Sequence, residues 1–252
     1  MEKYVLITGA TSGIGEACAR KFADNGYSVI LTGRRQERLT SLSNELQLKG
    51  VKVITLCFDV RILDEVEKAI NSLSDEVKNS IAILINNAGL AAGRENIDQG
   101  DVADWDQMID TNIKGLLYVS KNVIPFMKVN QTGHIFNIGS IAGKEVYPMG
   151  NVYCATKHAV DALSRGMRID LVNDNIKVTN IAPGAVDTEF SIVRYKGDLE
   201  KVAATYDGFE PLIANDIAET IYFVASCPQH VTINDLVIMP TAQASATVFN
   251  RN

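Results

Sequence analysis

No stretch of this chain approaches the roughly 20 consecutive apolar residues that a membrane helix needs. The apolar run near its start, Tyr4-Val5-Leu6-Ile7, is too short for a secretory core and has no small-residue cleavage site behind it. Neither membrane insertion nor export is expected. Metal and redox signatures are equally scarce. The four cysteines, Cys18, Cys57, Cys154 and Cys227, lie far apart, and His134, His158 and His230 show no ligand spacing. No zinc motif or paired dithiol can be read from them, so the expectation is no metal and a reduced, cytoplasmic setting. Basic runs interleaved with aromatics are missing too. With 24 basic and 30 acidic residues giving a net charge of −6, nucleic acid is not an expected partner. Nor does a repeat or a linker rich in Pro, Gly or Ser divide the chain. At 252 residues and 46% hydrophobic content, it suits a single domain over 1–252 with one sizeable core.

What is present is a rhythm. Short runs rich in Val, Ile and Leu fall at Tyr4–Thr8, Ser28–Thr32, Lys52–Phe58, Ile81–Asn86, His134–Ile138, Lys177–Ile181 and Leu236–Met239, which makes seven candidate strands. The run Ile81-Ala82-Ile83-Leu84-Ile85 does not alternate, as expected of a parallel strand covered on both faces. Between the runs, spacings such as Ile14, Ala17, Cys18 and Phe22 have helical period. This predicts an α/β fold: a doubly wound Rossmann domain with about seven parallel strands and helices on both faces. The rhythm fails at about 187–213, where the chain turns aromatic, charged and irregular. A long connection at the carboxyl end of such a strand is where these sheets bind ligands, so it is read as a substrate loop.

Directly after the first strand comes Thr8-Gly9-Ala10-Thr11-Ser12-Gly13-Ile14-Gly15, opening a helix. Gly9, Gly13 and Gly15 allow a tight turn and a close approach to a pyrophosphate, with Thr11, Ser12 and Ile14 lining the cradle at the positive end of the helix. The spacing departs from the usual G-x-G-x-x-G. At the tip of the second strand stand Arg34 and Arg35, with no acid before Glu37. Arginine there suits a 2′-phosphate and an acid would suit a 2′-hydroxyl, so the cofactor reading is NADP. Asp59 and Val60, ending the third strand, are placed beside the adenine, with a helix cap as the other reading of Asp59. Asn87, Ala88 and Gly89, in the tetrad after the fourth strand, let the chain pass close to the ribose unless they form a plain turn.

Tyr153 and Lys157 stand four apart in the helical stretch from about Asn151 to Leu171 and so share a face. A tyrosine, with an ordinary pKa near 10, becomes a better acid–base when an ammonium favours the phenolate. Such a pair arises readily by chance and means little alone. Ser140, just past the fifth strand, can meet the phenol at the rim of the sheet and bond a substrate oxygen on which charge develops; a turn serine is its plainer reading. Asn112 interrupts a probable helix whose interior it does not favour, and can bend it to hold a water that relays protons; a solvated helix position is its plainer reading.

The glycine turn, the Asn-Asn-Ala-Gly tetrad, and Asn112, Ser140, Tyr153 and Lys157, in that order and spacing, resemble the short-chain dehydrogenase/reductase family over essentially the whole length. The resemblance implies that Tyr153 exchanges a proton with the substrate oxygen and that Lys157 lowers its pKa and bonds the nicotinamide ribose. It also implies that Ser140 positions the oxygen, that Asn112 supports a proton relay, and that Pro183, Gly184, Val186 and Thr188 contact the nicotinamide amide.

A closer similarity is to the subgroup that oxidises serine, allo-threonine and other 3-hydroxy acids, or reduces malonic semialdehyde. It rests on Gly33–Leu39, Tyr147–Tyr153 and Thr188–Asp198. On the last stretch Arg194 is read as the partner of a substrate carboxylate, whose geometry its guanidinium matches; tying the loop to a helix end or a subunit neighbour is the other reading. Three alternatives stay open: an aldehyde or sulfoacetaldehyde reductase, a 3-oxoacyl reductase, whose usual glycine-rich tail is replaced here by Leu236–Gln243, and a non-catalytic NADP-binding protein. The family usually forms homotetramers by pairing long helices, here at about Val102–Lys128 and Asn151–Leu171.

Overall fold

The computed structural model describes residues 2–251. In chain order its elements are β1 (Tyr4–Ile7), α1 (Gly13–Asp24), β2 (Ser28–Gly33), α2 (Gln36–Gln47), β3 (Val53–Cys57), α3 (Leu63–Asn71), α4 (Asp75–Asn79) and β4 (Ile81–Asn86). Then come α5 (Val102–Ile109), a π-helical turn (Asp110–Gly115), α6 (Leu116–Val129), β5 (Gly133–Ile138), α7 (Asn151–Leu171) and β6 (Ile176–Pro183). The chain closes with β7 (Val186–Asp187), α8 (Glu189–Arg194), α9 (Leu199–Tyr206), β8 (Leu212–Ile213), α10 (Ala214–Ala225) and β9 (Asp235–Ile238).

Seven strands form one parallel sheet in the order β3-β2-β1-β4-β5-β6-β9. Each expected strand is there, with every end within two residues of its predicted position. The reason is visible in β1. Val5 and Ile7 pack on one face with Phe22 of α1 and Ile217 of α10, and Tyr4 and Leu6 pack on the other with Ile70 of α3 and Val123 of α6. A strand covered on both faces needs an unbroken apolar run, and the sequence supplies it. The order reverses between β1 and β4, which opens a crevice at their carboxyl ends.

Two expectations need refinement. The helix foreseen through 102–128 is α5 and α6 separated by the π turn Asp110–Gly115, which contains Asn112. The irregular 187–213 segment has structure of its own. Helices α8 and α9 are bracketed by a second, two-stranded parallel ribbon in which Val186 pairs with Leu212 and Asp187 with Ile213. Backbone bonds fasten the segment elsewhere, including Gly93 N–H to the Arg194 carbonyl at 3.1 Å.

One core group makes the fold sensitive to pH. His134 of β5 is buried, with Nε2 2.8 Å from Thr179 Oγ1, while the Thr179 hydroxyl donates its single proton to the Ile233 carbonyl at 2.6 Å. Nε2 must therefore be the donor, and Nδ1 is left bare and without a partner. Burial, with Lys177 nearby, pushes the imidazole down to about 3. Between that value and an unfolded pKa near 6.5, the unfolded chain binds the extra proton, so the contribution is complete above 6.5 and lost as pH falls. This group alone is expected to cost about 2 kcal/mol between pH 6.5 and 5. Chemical denaturation across that range should show the decline, and His134→Gln should flatten it; an equal decline in the variant would assign it to other groups.

Candidate active site

The crevice at the sheet's carboxyl edge is a cleft of about 1330 Å³ that runs from the tip of β2 to the segment carrying α8 and α9. Its floor is the turn between β1 and α1. Gly9 and Gly13 have φ of +66° and +55°, left-handed values that favour glycine. Gly15 serves packing: a Cβ there would collide with the Gly9 carbonyl oxygen and lie 2.5 Å from Asn87 Nδ2. Asn87 rivets the turn to the end of β4, its amide donating to the carbonyls of Thr8 at 2.9 Å and Gly9 at 3.2 Å. Thr8 Oγ1 accepts from the backbone N–H groups of Asn87 and Ala88, both at 2.9 Å. The Ser12 side chain makes no capping bond to α1, so the first N–H groups of this 12-residue helix remain available to an anion.

The β2 corner holds more charge than the sequence suggested. Arg34 and Arg35 line the cleft, and Arg38, one helical turn beyond Arg35, stands behind them with Nη1 3.3 Å from the Thr11 carbonyl. Arg35 donates to Thr11 Oγ1 from Nε at 3.1 Å and from Nη2 at 2.9 Å, and Nη2 also reaches Ser12 Oγ at 2.8 Å. An acid does reach this corner, but from far away in sequence: Glu189, at the start of α8, meets Arg35 at 2.9 Å and Arg38 at 2.6 Å. Asp59 does not cap α3, whose N-cap is Ile62. Its carboxylate is held by Arg61 at 2.6 Å and approached by Arg34 at 3.7 Å. Asp59 and Val60 nevertheless line the cleft, as do Asn87, Ala88 and Gly89.

Further along, the ends of β5 and β6 and the first turns of α7 converge. Ser140 leaves β5 in extended backbone; its Oγ accepts from Ala142 N at 3.1 Å and donates to the Pro183 carbonyl at 3.5 Å. Tyr153 and Lys157 lie in the first two turns of α7, with Lys157 Nζ 5.9 Å from the Tyr153 ring centre. Both are buried. Lys157 donates to the Ile138 carbonyl at 2.8 Å, and burial lowers its pKa to about 8. Burial raises the Tyr153 phenol, helped by Tyr147, while the Ser140 hydroxyl and the Arg194 guanidinium pull the other way. Arg194 thus brings a second positive charge to the phenol, one that the spacing of Tyr153 and Lys157 did not reveal. Asn112 does not line the cleft. Its amide is bonded to the N–H and carbonyl of Leu90, both at 2.8 Å, and to Thr156 Oγ1 at 3.0 Å. A Cβ on Gly89 would lie 3.2 Å from Asn112 Oδ1 and 3.5 Å from Lys157 Nζ, a tight fit that the glycine avoids.

The wall opposite is the segment after β6. Pro183, Gly184, Val186 and Thr188 line the cleft, and Gln243 props them by accepting from Ala185 N at 2.8 Å. Arg194, at the end of α8, stacks its guanidinium 5.5 Å above the Tyr147 ring and 5.6 Å from the Tyr153 ring. Among the described residues no carboxylate pairs with Arg194, and its Nε is buried without a partner. Phe190 of the same helix packs on Tyr153 with ring centres 5.6 Å apart. Glu189, Arg38, Tyr147, Phe190 and Gln243 all escaped the sequence reading. Of these, only Arg38 had a local signal, its three-residue spacing from Arg35.

A family model described as short chain dehydrogenase matches residues 3–197. The chain belongs to the short-chain dehydrogenase family. It is 48% identical over 243 residues, 96% of each chain, to an NADP-dependent 3-hydroxy acid dehydrogenase of Salmonella typhi. It is also 47% identical over 248 residues to sulfoacetaldehyde reductase 2 of Chromohalobacter salexigens, covering 97% of this chain and 96% of that one. Among solved structures, the closed form of a serine dehydrogenase complexed with NADP+ superposes with a TM-score of 0.93 at 46% identity, covering 99% of both chains.

In this short-chain dehydrogenase the glycine turn is as much a joint as a cradle. Gly15→Ala forces a methyl group into the Gly9 carbonyl and the Asn87 amide, neither of which can move without disturbing β1 or β4. A loss of about 1–3 kcal/mol is expected, measured by thermal unfolding of the purified variant. An unchanged midpoint would remove the assigned packing role.

Proposed function

We propose that this chain is an NADP(H)-dependent oxidoreductase that interconverts a small 3-hydroxy acid and its 3-oxo or semialdehyde form. The observation that carries the substrate class is Arg194: a half-buried guanidinium lining the cleft beside Tyr153, with no carboxylate partner among the described residues and with its Nε buried and unpaired. A buried charge without a counter-ion is costly, and a substrate carboxylate removes that cost at the place where it orients the neighbouring hydroxyl carbon. The relative at 48% identity, an NADP-dependent 3-hydroxy acid dehydrogenase, agrees with this reading.

The residues fit an NADP(H) cofactor. The left-handed glycines and the uncapped start of α1 suit a pyrophosphate, and the arginines at the tip of β2 suit a 2′-phosphate. Gly9, Thr11, Ser12, Gly13 and Ile14 would hold the pyrophosphate end, and Arg34 and Arg35 the 2′-phosphate. Asp59 and Val60 would flank the adenine, Asn87, Ala88, Gly89, Tyr153 and Lys157 the nicotinamide ribose, and Pro183, Gly184, Val186 and Thr188 the amide. When bound, the nicotinamide supplies or accepts the hydride. In the reductive direction, Tyr153 gives its proton to the oxygen on which charge develops, and its raised pKa keeps that proton in place at neutral pH. Ser140 donates a hydrogen bond to the same oxygen. In the oxidative direction, the phenol must ionise, and the positive charges of Arg194 and Lys157 favour the phenolate. Asn112, fixed in the π turn beside Gly89, supports the proton path that refills Tyr153 through Lys157.

We read 1–252 as one catalytic domain with 187–213 as its substrate segment. The exposed apolar side chains of Val102, Leu117, Ile169 and Val172, on or beside α5, α6 and α7, support assembly as a homotetramer. Four unpaired cysteines support a reducing, cytoplasmic setting, and among the described residues no helix is long and apolar enough to cross a membrane. A second reading, reduction of an aldehyde such as sulfoacetaldehyde, is favoured by the fit of a sulfonate to the same guanidinium.

Two variants test the assignment. Tyr153→Phe is expected to lower kcat by about a hundred- to ten-thousand-fold with dinucleotide binding retained; undiminished turnover would remove Tyr153 from the chemistry. Arg194→Met is expected to raise KM for 3-hydroxypropionate or L-serine by at least about 30-fold while changing a neutral secondary alcohol little. An equal effect on both substrates would make Arg194 structural. If the acids are silent and sulfoacetaldehyde turns over in the wild type, the second reading stands.

A further inference from the structure

The cleft has an anion-binding corner at one end and a cation awaiting an anion at the other, and a single acidic side chain touches the first while belonging to the element that carries the second. Glu189 is the first residue of α8 and Arg194 its last. The Glu189 carboxylate crosses to the far wall, with Oε2 2.9 Å from Arg35 Nη1 and Oε1 2.6 Å from Arg38 Nη1. The two arginines differ in what else they can do. Arg35 lines the cleft together with Arg34 and Glu189, whereas Arg38 does not line it. Arg38 adds a 3.3 Å bond to the Thr11 carbonyl and so stays on the rim of the glycine turn. Thr188, just before Glu189, faces Gly13 across the same gap: a Cβ on Gly13 would lie 3.3 Å from its side chain.

Charge at the corner follows from these contacts. Three guanidinium groups, Arg34, Arg35 and Arg38, carry three positive charges, Glu189 cancels one, and the Asp59 carboxylate near Arg34 is balanced by Arg61. The remaining two match a dianionic 2′-phosphate and find no match in a 2′-hydroxyl. Resting on the NADP(H) reading above, we propose that Glu189 is a specificity-determining latch. It competes with the 2′-phosphate for Arg35 while Arg38 keeps hold of it, and through α8 it anchors the substrate arginine Arg194 to the cofactor corner. Handing Arg35 to a phosphate then leaves α8 fastened by the Glu189–Arg38 pair. The latch thus sets both the charge that the phosphate meets and the stiffness of the helix that presents Arg194.

Competition and anchoring predict opposite signs, which a residue that merely holds the fold together cannot produce. Titration calorimetry of the nucleotide-free protein with NADP+ and NAD+ is the measurement, with KM for 3-hydroxypropionate at saturating NADP+ alongside. Glu189→Gln is expected to tighten NADP+ binding by about three- to tenfold, as suits two half-exposed ion pairs. NAD+ binding should hardly change, and the acid's KM should rise. Arg38→Met is expected to weaken NADP+ binding, because Glu189 then pulls on Arg35 alone, and to raise the same KM. Combining the two substitutions should bring NADP+ affinity back toward the wild-type value. Weaker or unchanged NADP+ binding in Glu189→Gln would overturn the proposal, as would an unaltered KM. A wild-type protein that binds NADP+ no better than NAD+ would instead remove the 2′-phosphate corner itself, and the latch with it.

Discussion

A parallel sheet sends all its strands the same way, so their carboxyl ends meet on one edge and both faces must be roofed by helices. From this constraint the site follows. Each crossover has to leave the edge, turn and descend as a helix, and where the strand order reverses, between β1 and β4, neighbouring crossovers depart to opposite faces and leave a crevice. The Thr8–Asn87 rivet closes its floor with four side-chain to backbone bonds, so the glycine turn is fixed by the core beneath it. The ends of β5 and β6 deliver Ser140 and Pro183 to the same edge, and α7 descends from there with Tyr153 and Lys157 facing inward.

How legible a feature was depended on whether its cause was local. The seven strands could be read because burial on two faces demands apolar runs, as the packing of Val5 and Ile7 against one layer and Tyr4 and Leu6 against the other shows. Tyr153 and Lys157 could be paired because four residues bring side chains onto one helix face. Asn112 could be suspected in its helix, but the π turn that surrounds it could not, since one extra residue per turn barely shifts a hydrophobic period. The segment at 187–213 read as irregular because its two helices are short, six and eight residues, and are held by contacts to other elements. Glu189 was out of reach: its partner Arg35 lies 154 residues away, and nothing in the sequence around either residue names the other. Gln243, which props Ala185 across 58 residues, is illegible for the same reason.

Burial pulls Tyr153 and Lys157 in the same direction, toward their neutral forms, and nearby positive charge opposes it on the phenol. Removing water disfavours the ionised form of each, so the phenol of Tyr153 is raised and the amine of Lys157 is lowered to about 8. Both groups therefore sit nearer their neutral forms than they would in water, and the positive charge that favours a phenolate comes from the lysine beneath and the arginine above. Arg194 is thus placed to do two things with one charge. It can receive an anionic substrate group, and it acts on the phenol 5.6 Å away. On the proposed substrate reading, a carboxylate filling its guanidinium would cancel part of its effect on Tyr153 and leave the buried lysine to govern the phenol.

That division of labour needs α8 to hold its place, because a guanidinium that shifts by an ångström changes both interactions at once. The helix has only six residues and cannot be stiff through its own hydrogen bonds. Its fixed points are external: Thr188 caps it, Phe190 packs on Tyr153, Gly93 holds the Arg194 carbonyl, and Glu189 reaches the arginines of the opposite wall. Phe190 and Gly93 stand by the substrate side of the cleft, and Thr188 faces the glycine turn. The fourth is bonded to the arginines of the β2 corner, so on the proposed reading the position of Arg194 would depend on what occupies a site at the far end of the cleft. A cleft built this way would sense its cofactor through the helix that receives its substrate.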